Sequence, residues 1–474
     1  GDDEILEAQL KSLADEMIDK EWYQHCSVSF FEPGIGKPMS DERKNQCVCG
    51  AGLMLGVGPT GNIYPCMRYK DYSLEKKDEV VIGHVDTGID FDKVLRFRVS
   101  SHWMQYDEEC MNCPVADSCS HCQAQSYDSA DTPTNFQRSK YICRMHKARI
   151  RASNYYYNRL YHEKGIQEDP GTTGRSLYLI LSDRYETFCE CPAPVQGERK
   201  MDADTVQQAL AYSAYHFFAP VFVHDRECPD FSLMQGNTEY RIQHILSARF
   251  YKEAERCSDS ILVFDKQLLD IPCRHQDSCI FNADWKEISH LSEDIIRLFE
   301  KTDRIHLNLL HMEEEDKITL YKEELQKISE YLYTSWTKSG NQKEFNKITD
   351  ILFCEKPEYC NAGEKLFAVS WDGGIYTCPA AYAKGDQPVG SIRSRNMPAA
   401  LNQRLYTLDY APLCRNCPAT HCVRCAVANL QKTGEVNVPA RHKCLVSMAE
   451  YEISRQFLEK LKKVSHIELI ACGV

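Results

Sequence analysis

This sequence lacks several features that would assign it to a common class of protein. No apolar run approaches the roughly 18 to 20 residues of a membrane span, and no signal-peptide pattern opens the chain. Basic residues are in deficit: 56 Lys and Arg against 69 Asp and Glu give a net charge of −13. That balance disfavours nucleic acid and acidic membranes as partners. The His-Glu-x-x-His and Gly-x-Ser-x-Gly motifs of hydrolases are also absent. We therefore expect a cytoplasmic protein without hydrolytic chemistry.

Cysteine, in contrast, is abundant, at 24 of 474 residues. In a reducing compartment cysteines remain thiols, so this abundance indicates metal or iron–sulfur ligation rather than disulfides. Two thirds of the cysteines belong to two copies of one pattern, with closely similar order and spacing. The first copy contains Cys47, Cys49, Cys66, Cys110, Cys113, Cys119, Cys122 and Cys143, and the second contains Cys354, Cys360, Cys378, Cys414, Cys417, Cys422, Cys425 and Cys444.

Each copy places one cysteine at the end of a predicted β-hairpin. Four residues separate Gly61 from Cys66 and Gly373 from Cys378. Apolar residues alternate on both sides of each glycine, which predicts two antiparallel strands joined by a turn. The glycine can adopt the positive φ that such a turn requires. The run from Gly56 to Gly61 matches a phosphate-binding Gly-x-Gly-x-x-Gly motif only formally, because no helix is predicted to follow it.

The spacing of the next four cysteines favours iron–sulfur clusters over zinc. A single Cys-x2-Cys pair suits either tetrahedral zinc or a [4Fe–4S] cluster. Zinc ribbons separate two such pairs by roughly 15 to 20 residues, whereas only five residues lie between Cys113 and Cys119. One metal ion could take all four of these thiols, but the other four cysteines of the copy would then have no role. Interleaved ligation of two clusters uses all eight.

Both copies resemble the SPASM domain, the auxiliary iron–sulfur module of radical S-adenosylmethionine (SAM) enzymes that modify peptides. Their last pairs, Cys119-x2-Cys122 and Cys422-x2-Cys425, have two intervening residues where the family pattern has three. The resemblance implies up to four [4Fe–4S] clusters. Its ligand sets would be Cys47, Cys49, Cys66 and Cys122; Cys110, Cys113, Cys119 and Cys143; Cys354, Cys360, Cys378 and Cys425; and Cys414, Cys417, Cys422 and Cys444.

A repeated SPASM unit beside a barrel without the Cys-x3-Cys-x2-Cys triad is similar to the maturases of Cys-x-x-x (CXXX) repeat peptides. The resemblance implies maturation, of thioether type, of a cysteine-rich ribosomally made precursor peptide, with a reductant such as ferredoxin or flavodoxin. SAM would bind only through a barrel that we expect to precede this sequence, because the triad does not occur in it. No catalytic residue is assigned. The alternative is a non-catalytic scaffold that holds zinc or iron–sulfur clusters and presents a peptide to a separate enzyme.

Between the copies, strands and helices alternate, which predicts a parallel sheet. The predicted strands are Leu177–Leu181, Val221–His224, Ile261–Phe264 and Ile305–Leu310, and the predicted helices are Asp202–Phe218, Leu291–Glu300 and Leu320–Trp336. We expect an α/β fold in which two SPASM modules flank a degenerate partial (β/α) barrel. A helix from Asp2 to Glu21 and a strand from Cys26 to Phe31 would close an earlier barrel. The expected domains are the end of a truncated radical SAM barrel at 1–46, the first module at 47–164, a linker at 165–175, the partial barrel at 176–350, and the second module with a C-terminal helix at 351–474.

Eight cysteines lie outside the two copies. We interpret four of them as small buried core residues. Cys273 and Cys279, separated by five residues that include His275, form a possible metal site. Cys189 and Cys191, in a loop of the central region, are one thiol short of the triad for SAM cleavage, and their role stays open. The four expected core cysteines are Cys26, Cys228, Cys257 and Cys472.

Overall fold

The chain forms two compact units in a computed structural model. One comprises Gly1–Arg175 with Asn237–Arg241, and the other comprises Ser176–Gly236 with Ile242–Val474. Five cysteines considered above lie outside the residues that the structure describes: Cys47, Cys191, Cys354, Cys360 and Cys472. The described residues are 1–46, 49–70, 77–102, 107–111, 113–116, 119, 122–168, 174–190, 197–234, 236–257, 259–312, 315–339, 342–353, 361–398 and 402–464.

The first unit combines a small antiparallel sheet with helices. Its strands pair in the order β1-β2-β3-β4. Its described elements are α1 (Asp2–Asp19), α2 (Asp41–Asn45), β1 (Gly56–Val57), β2 (Asn62–Tyr64), β3 (Gly83–His84), β4 (Gly88–Ile89), α3 (Phe91–Arg98), α4 (Glu108–Met111), α5 (Gln123–Ser129) and α6 (Cys143–Lys164).

Helix α1, which the apolar spacing predicts, packs its buried face against α6. Met17 and Ile18 lie in one core with Tyr156 and Leu160. At the edge of this contact the Arg151 guanidinium lies 2.6 Å from a carboxylate oxygen of Glu7. The apolar contact and the ion pair together hold the first and last helices of the unit side by side.

The strand expected at residues 26–31 does not form, and that prediction is wrong. Glu21 has a φ of 55°, which ends the helical path, and a short 3-10 turn follows. Among the described residues no strand runs alongside 26–31 to supply backbone partners. The Phe31 ring instead stacks on Tyr156 at 4.6 Å, and its carbonyl accepts a 2.9 Å hydrogen bond from the Tyr157 hydroxyl. Side-chain packing therefore replaces strand pairing here.

The second unit is a ten-stranded sheet covered by helices. The strand order is β11-β10-β9-β8-β7-β6-β5-β12-β13-β14. Its described elements are β5 (Ser176–Ile180), α7 (Ala203–Tyr215), β6 (Ala219–Val223), β7 (Gln243–Ser247), α8 (Tyr251–Ala254), β8 (Ser260–Phe264), β9 (Gln276–Asp284), α9 (Leu291–Leu298), β10 (Thr302–Leu310), α10 (Ile318–Thr334), β11 (Glu344–Phe345), β12 (Leu366–Val369), β13 (Gly374–Tyr376), α11 (Pro379–Ala383), β14 (Gly390–Ser391), α12 (Ala426–Thr433) and α13 (Arg441–Leu461).

Strands β5 to β12 of this sheet pair in parallel, and β12, β13 and β14 pair antiparallel. The expected mixed α/β class and the parallel sheet are confirmed. The largest core lies between the sheet and helices α9, α10 and α13, where Trp285, Tyr321 and Phe457 are buried together. None of the described helices is long and apolar enough to cross a bilayer.

The two predicted hairpins form with the same geometry. In the first copy Val57 pairs with Ile63, and in the second Val369 pairs with Ile375. Each second strand then pairs antiparallel with a third, β3 or β14. The turn glycines have nearly equal positive φ, 87° at Gly61 and 84° at Gly373. The formal phosphate-binding motif is therefore a hairpin, as expected.

Candidate metal centres

Three cysteines of the first copy come together beside the first hairpin. Cys49, Cys66 and Cys122 all pack against one small core around β2 and α3. Burial raises the pKa of the Cys66 thiol, and the nearby Cys122 and Cys49 sulfurs add to that effect. The backbone amides of Arg68 and Tyr69 act on this pKa in the opposite direction. The described members of the first expected ligand set are therefore neighbours.

The second expected set of the first copy also gathers. The Cys143 sulfur, at the start of α6, lies close enough to those of Cys110, Cys113 and Cys119 to influence their ionisation. Burial raises the pKa of Cys110 to about 11, while the positive charge of Arg138 acts in the opposite direction. Because the Arg138 side chain is itself buried, its charge is well placed to stabilise thiolates here.

In the second copy, two cysteines occupy equivalent positions at helix starts. Cys378 precedes α11 and Cys425 precedes α12. The Ala381 amide donates to the Cys378 sulfur at 3.3 Å, and the Ala428 amide donates to the Cys425 sulfur at 3.4 Å. Helix N-termini favour negative charge, so both positions stabilise a thiolate. Cys378 and Cys425 belong to one packed group.

Cys66 and Cys378 match each other closely in backbone conformation. Their φ and ψ angles are −163° and 171° in the first copy and −166° and 169° in the second. Each residue follows the returning strand of its hairpin and begins a helical turn. The turn geometry thus delivers the sulfur of each copy to the same position relative to its hairpin.

The members of the second expected ligand set of the second copy also lie near one another. The sulfurs of Cys417, Cys422 and Cys444 influence the ionisation of Cys414, whose pKa is raised to about 11 by burial. The Ser447 hydroxyl donates a 3.2 Å hydrogen bond to the Cys422 sulfur. Cys444 and Ser447 are both on α13, so this helix presents one cysteine and supports another.

The four groups provide donor sets made of sulfur, as an iron–sulfur cluster requires. Amide and hydroxyl donors to these sulfurs are the interactions that tune thiolate-bound clusters. Because burial raises the thiol pKa in each of the two four-cysteine groups, ligation there must release protons. Within the part of the chain that the structure describes, no three His, Cys, Asp or Glu side chains converge as they would around a bound metal ion. The thiols are grouped without being closed around a common centre.

A buried charge network that the sequence analysis missed adjoins the second-copy cysteines. Glu190 accepts from the Lys347 ammonium at 2.8 Å and also from Lys443. Burial acts to raise the pKa of Glu190, but the two lysines outweigh it and hold the pKa far below its usual range. Glu450 accepts from the Tyr321 hydroxyl at 2.9 Å and lies 3.2 Å from His421. These partners are far apart in sequence, and no sequence motif predicts that they come together.

A cavity of about 250 Å³ opens beside Cys425 and this network. Glu190, Lys443 and His311 line it. His311 follows β10 directly, and its Nδ1 lies 2.9 Å from an Asp284 carboxylate oxygen at the end of β9. The cavity is therefore at the carboxyl edge of the parallel sheet, where ligands of open α/β sheets commonly bind.

The remaining cysteines do not all behave as expected. Cys26 and Cys228 are exposed, so their interpretation as core residues is wrong. Both lie in loops: Cys26 follows a 3-10 turn, and the Cys228 amide donates a hydrogen bond to Asp225. Cys257 is partly buried, and its thiol lies 3.7 Å from the Glu253 carbonyl in the helical turn that precedes it.

The possible site at Cys273 and Cys279 does not gather three donors. Cys279 is on β9 and lies inside the largest core, where burial strongly raises its pKa. Cys273 packs against the same core. His275 faces elsewhere, with its Nε2 at 3.0 Å from an Asp303 carboxylate oxygen. A core role for both cysteines accounts for these contacts.

No protein-family model and no curated protein matches this sequence. Among solved structures, the chain is similar to anSMEcpe with bound AdoMet and Cp18Cys peptide, at 12% identity over 61% of this chain and 99% of the other, with a TM-score of 0.41. It is also similar to Streptococcus suis SuiB bound to its precursor peptide SuiA, at 13% identity, 67% and 84% coverage and a TM-score of 0.38. The FeFe-hydrogenase maturase HydG from Carboxydothermus hydrogenoformans is 10% identical over 69% of this chain and 88% of the other, with a TM-score of 0.24. Scores this low mark a loose likeness, so the function proposed below rests on the residues of this chain.

Proposed function

We propose that this chain is an iron–sulfur protein that provides the auxiliary clusters for radical SAM maturation of a cysteine-rich peptide. One observation supports the proposal: each described cysteine of the two copies lies near another described member of its expected ligand set. The grouped residues are Cys49, Cys66 and Cys122; Cys110, Cys113, Cys119 and Cys143; Cys378 and Cys425; and Cys414, Cys417, Cys422 and Cys444. Cys47, Cys354 and Cys360 would complete the sets.

The residues around the sulfurs fit this role. A bound cluster would supply an electron acceptor. The amides of Ala381 and Ala428 donate hydrogen bonds to the Cys378 and Cys425 sulfurs and would support them as thiolate ligands. The cavity at Cys425 is large enough for a peptide side chain, and Glu190 and Lys443 in its wall neutralise each other. Lys432 also lines the cavity, so the thiolate of a peptide cysteine would suit such a wall.

Metal and sulfide analysis of anaerobically purified protein tests the proposal. Four clusters correspond to about 16 iron and 16 acid-labile sulfide per chain, with absorbance near 400 nm. Stoichiometric zinc without sulfide would overturn the iron–sulfur proposal and favour the alternative, a zinc-holding scaffold that presents a peptide.

The peptide partner is tested by binding. A labelled synthetic peptide with repeated Cys-x-x-x should bind to the metal-loaded chain in fluorescence anisotropy. The matched peptide with Ser in place of every Cys should bind at least tenfold more weakly, because it lacks the thiolate. Equal binding of the two peptides would contradict recognition through substrate cysteines.

A further inference from the structure

We propose that Cys189, in the loop after β5, is a ligand of the same metal centre as Cys378 and Cys425. This inference rests on the proposed metal-binding function and extends it to a residue outside both cysteine copies. The repeated cysteine pattern does not include Cys189. In the sequence, Cys189 and Cys191 are one thiol short of the triad for SAM cleavage. The structure places it elsewhere, beside the second-copy cysteines.

The packing around Cys189 supports this assignment. Ala362, Cys378, Ala380 and Ala381 form a small buried group, and Cys189 and Cys425 both pack against it. Cys189, Cys378 and Cys425 are thus neighbours in one packed group at the end of the second hairpin.

The loop that carries Cys189 is fixed on both sides. Before it, the Phe188 ring stacks on Tyr178 of β5, with centroids 5.4 Å apart and an interplanar angle of 11°. The Thr187 carbonyl accepts a 2.6 Å hydrogen bond from the Asn282 side chain of β9. After it, Glu190 is held by its ion pair with Lys347. These contacts fix the loop on both sides of Cys189.

Ligand counting makes the proposal testable. A [4Fe–4S] cluster takes four thiolates, and the set implied by the family resemblance already contains four. If Cys189 is a ligand, one member of that set does not bind this cluster. The same anchoring residue, Glu190, also pairs with Lys443, which precedes Cys444. The loop after β5 would therefore connect the two metal centres of the second copy.

The iron content of single and double cysteine variants distinguishes a cluster ligand from a cysteine that only lies near the cluster. We expect Cys189→Ala and Cys378→Ala each to lose about four irons per chain. The double variant Cys189→Ala/Cys378→Ala should lose no more than either single one, because both thiols belong to one cluster. Cys189→Ala/Cys414→Ala should lose about eight. Cys228→Ala, which removes an exposed thiol, is the matched control and should keep all its iron. Full iron content in Cys189→Ala, or a loss that adds to that of Cys378→Ala, would overturn the proposal.

Alkylation of the unmutated protein provides a second readout that does not depend on how the variants fold. Iodoacetamide labelling with mass spectrometry should leave Cys189 unlabelled in the metal-loaded protein and label it after chelator treatment. Cys228, which is exposed, should be labelled in both states, and the partly buried Cys257 should be labelled equally in both. Unchanged labelling of Cys189 would refute ligation. This result applies whichever metal is bound, so it is distinguishable from a failure of the iron–sulfur proposal, which the iron and sulfide content decides.

Discussion

At the scale of single residues, a hairpin glycine determines where the cysteine five positions later is placed. The positive φ of Gly61 and Gly373 sets the turn, and the returning strand then brings Cys66 or Cys378 to a helical start. The Gly-x4-Cys spacing was sufficient to predict this, because both the turn and the strand are local. The role of Cys425 as a second helix cap was not predictable, since it depends on where α12 begins.

Two glycines of the first unit form a matched pair for mutation. At Gly61 an added Cβ would lie 2.6 Å from the His84 Nε2, whereas at Gly88 it would meet nothing within 4 Å. Both have strongly positive φ, 87° and 86°. Gly88→Ala should therefore lower the free energy of unfolding only by the backbone strain, about 1 to 2 kcal/mol. Gly61→Ala should lower it more, because it adds the contact with His84. Urea unfolding of the two variants checks the order, and equal losses would show that the contact with His84 is unimportant.

A buried histidine pair should make stability depend on pH. His224 Nε2 and His244 Nδ1 are 3.0 Å apart. Burial lowers the pKa of His224 to about 3, helped by His244, and that of His244 to about 4, while Asp230 acts in the opposite direction on His224. Unfolded histidine titrates near 6.5, so the neutral pair stabilises the fold fully above that pH and loses this contribution as the pH falls towards 4.

The variant His244→Gln isolates this effect, because glutamine does not titrate. The free energy of unfolding of the unmutated protein should fall more between pH 7.5 and 5 than that of the variant. Urea titrations at the two pH values measure the difference. Identical pH dependence in both proteins would contradict the assignment, whatever the other histidines contribute.

At the scale of elements, the sequence predicted strands well where they are continuously apolar and poorly where they are not. β6 and β8 were expected within two residues of their bounds. β7 and β9 were not expected, because their apolar centres are flanked by polar residues such as His244 and Asn282. Both strands lie between parallel neighbours, so tertiary pairing rather than local pattern determines them. The charge network at Glu190 could not be predicted for the same reason, because its lysine partners are 157 and 253 residues away in sequence.

The contact between α10 and α13 includes one testable polar bond. The buried Tyr321 hydroxyl donates to the buried Glu450 carboxylate at 2.9 Å. Tyr321→Phe should lower the free energy of unfolding by about 1 to 3 kcal/mol, because a buried carboxylate loses a donor. Tyr331→Phe, on the same helix and stacked on Phe299, should change it by less than about 0.5 kcal/mol. Thermal or urea unfolding compares the two variants, and a similar loss in both would mean that the hydrogen bond contributes little.

At the scale of the whole molecule, the two cysteine copies belong to different compact units. Metal ligation supplies folding free energy mainly to the segments that carry the ligands. Cys113 is in the first unit and Cys417 is in the second. The effect of losing one ligand should therefore remain within its own unit.

Hydrogen exchange on Cys113→Ala and Cys417→Ala tests this independence. Each variant should lose about four irons and should show faster amide exchange in its own unit. The helix pair α1 and α6 reports on the first unit, and α10 and α13 report on the second. If either variant accelerated exchange equally in both pairs, the two units would be stabilised together rather than separately.

The pairing of β12 with β5 determines which fragments of this protein can be expressed alone. Phe367 pairs with Leu177 and Val369 with Leu179, so a strand of the second copy extends the parallel sheet of the central region. Expressing residues 176–350 alone would leave β5 as an unprotected apolar edge, and such edges promote aggregation. The first hairpin, in contrast, belongs to a separate four-stranded sheet. Although the two copies share a cysteine pattern, the first hairpin belongs to a small sheet of its own unit, whereas the second hairpin extends the parallel sheet of the other unit.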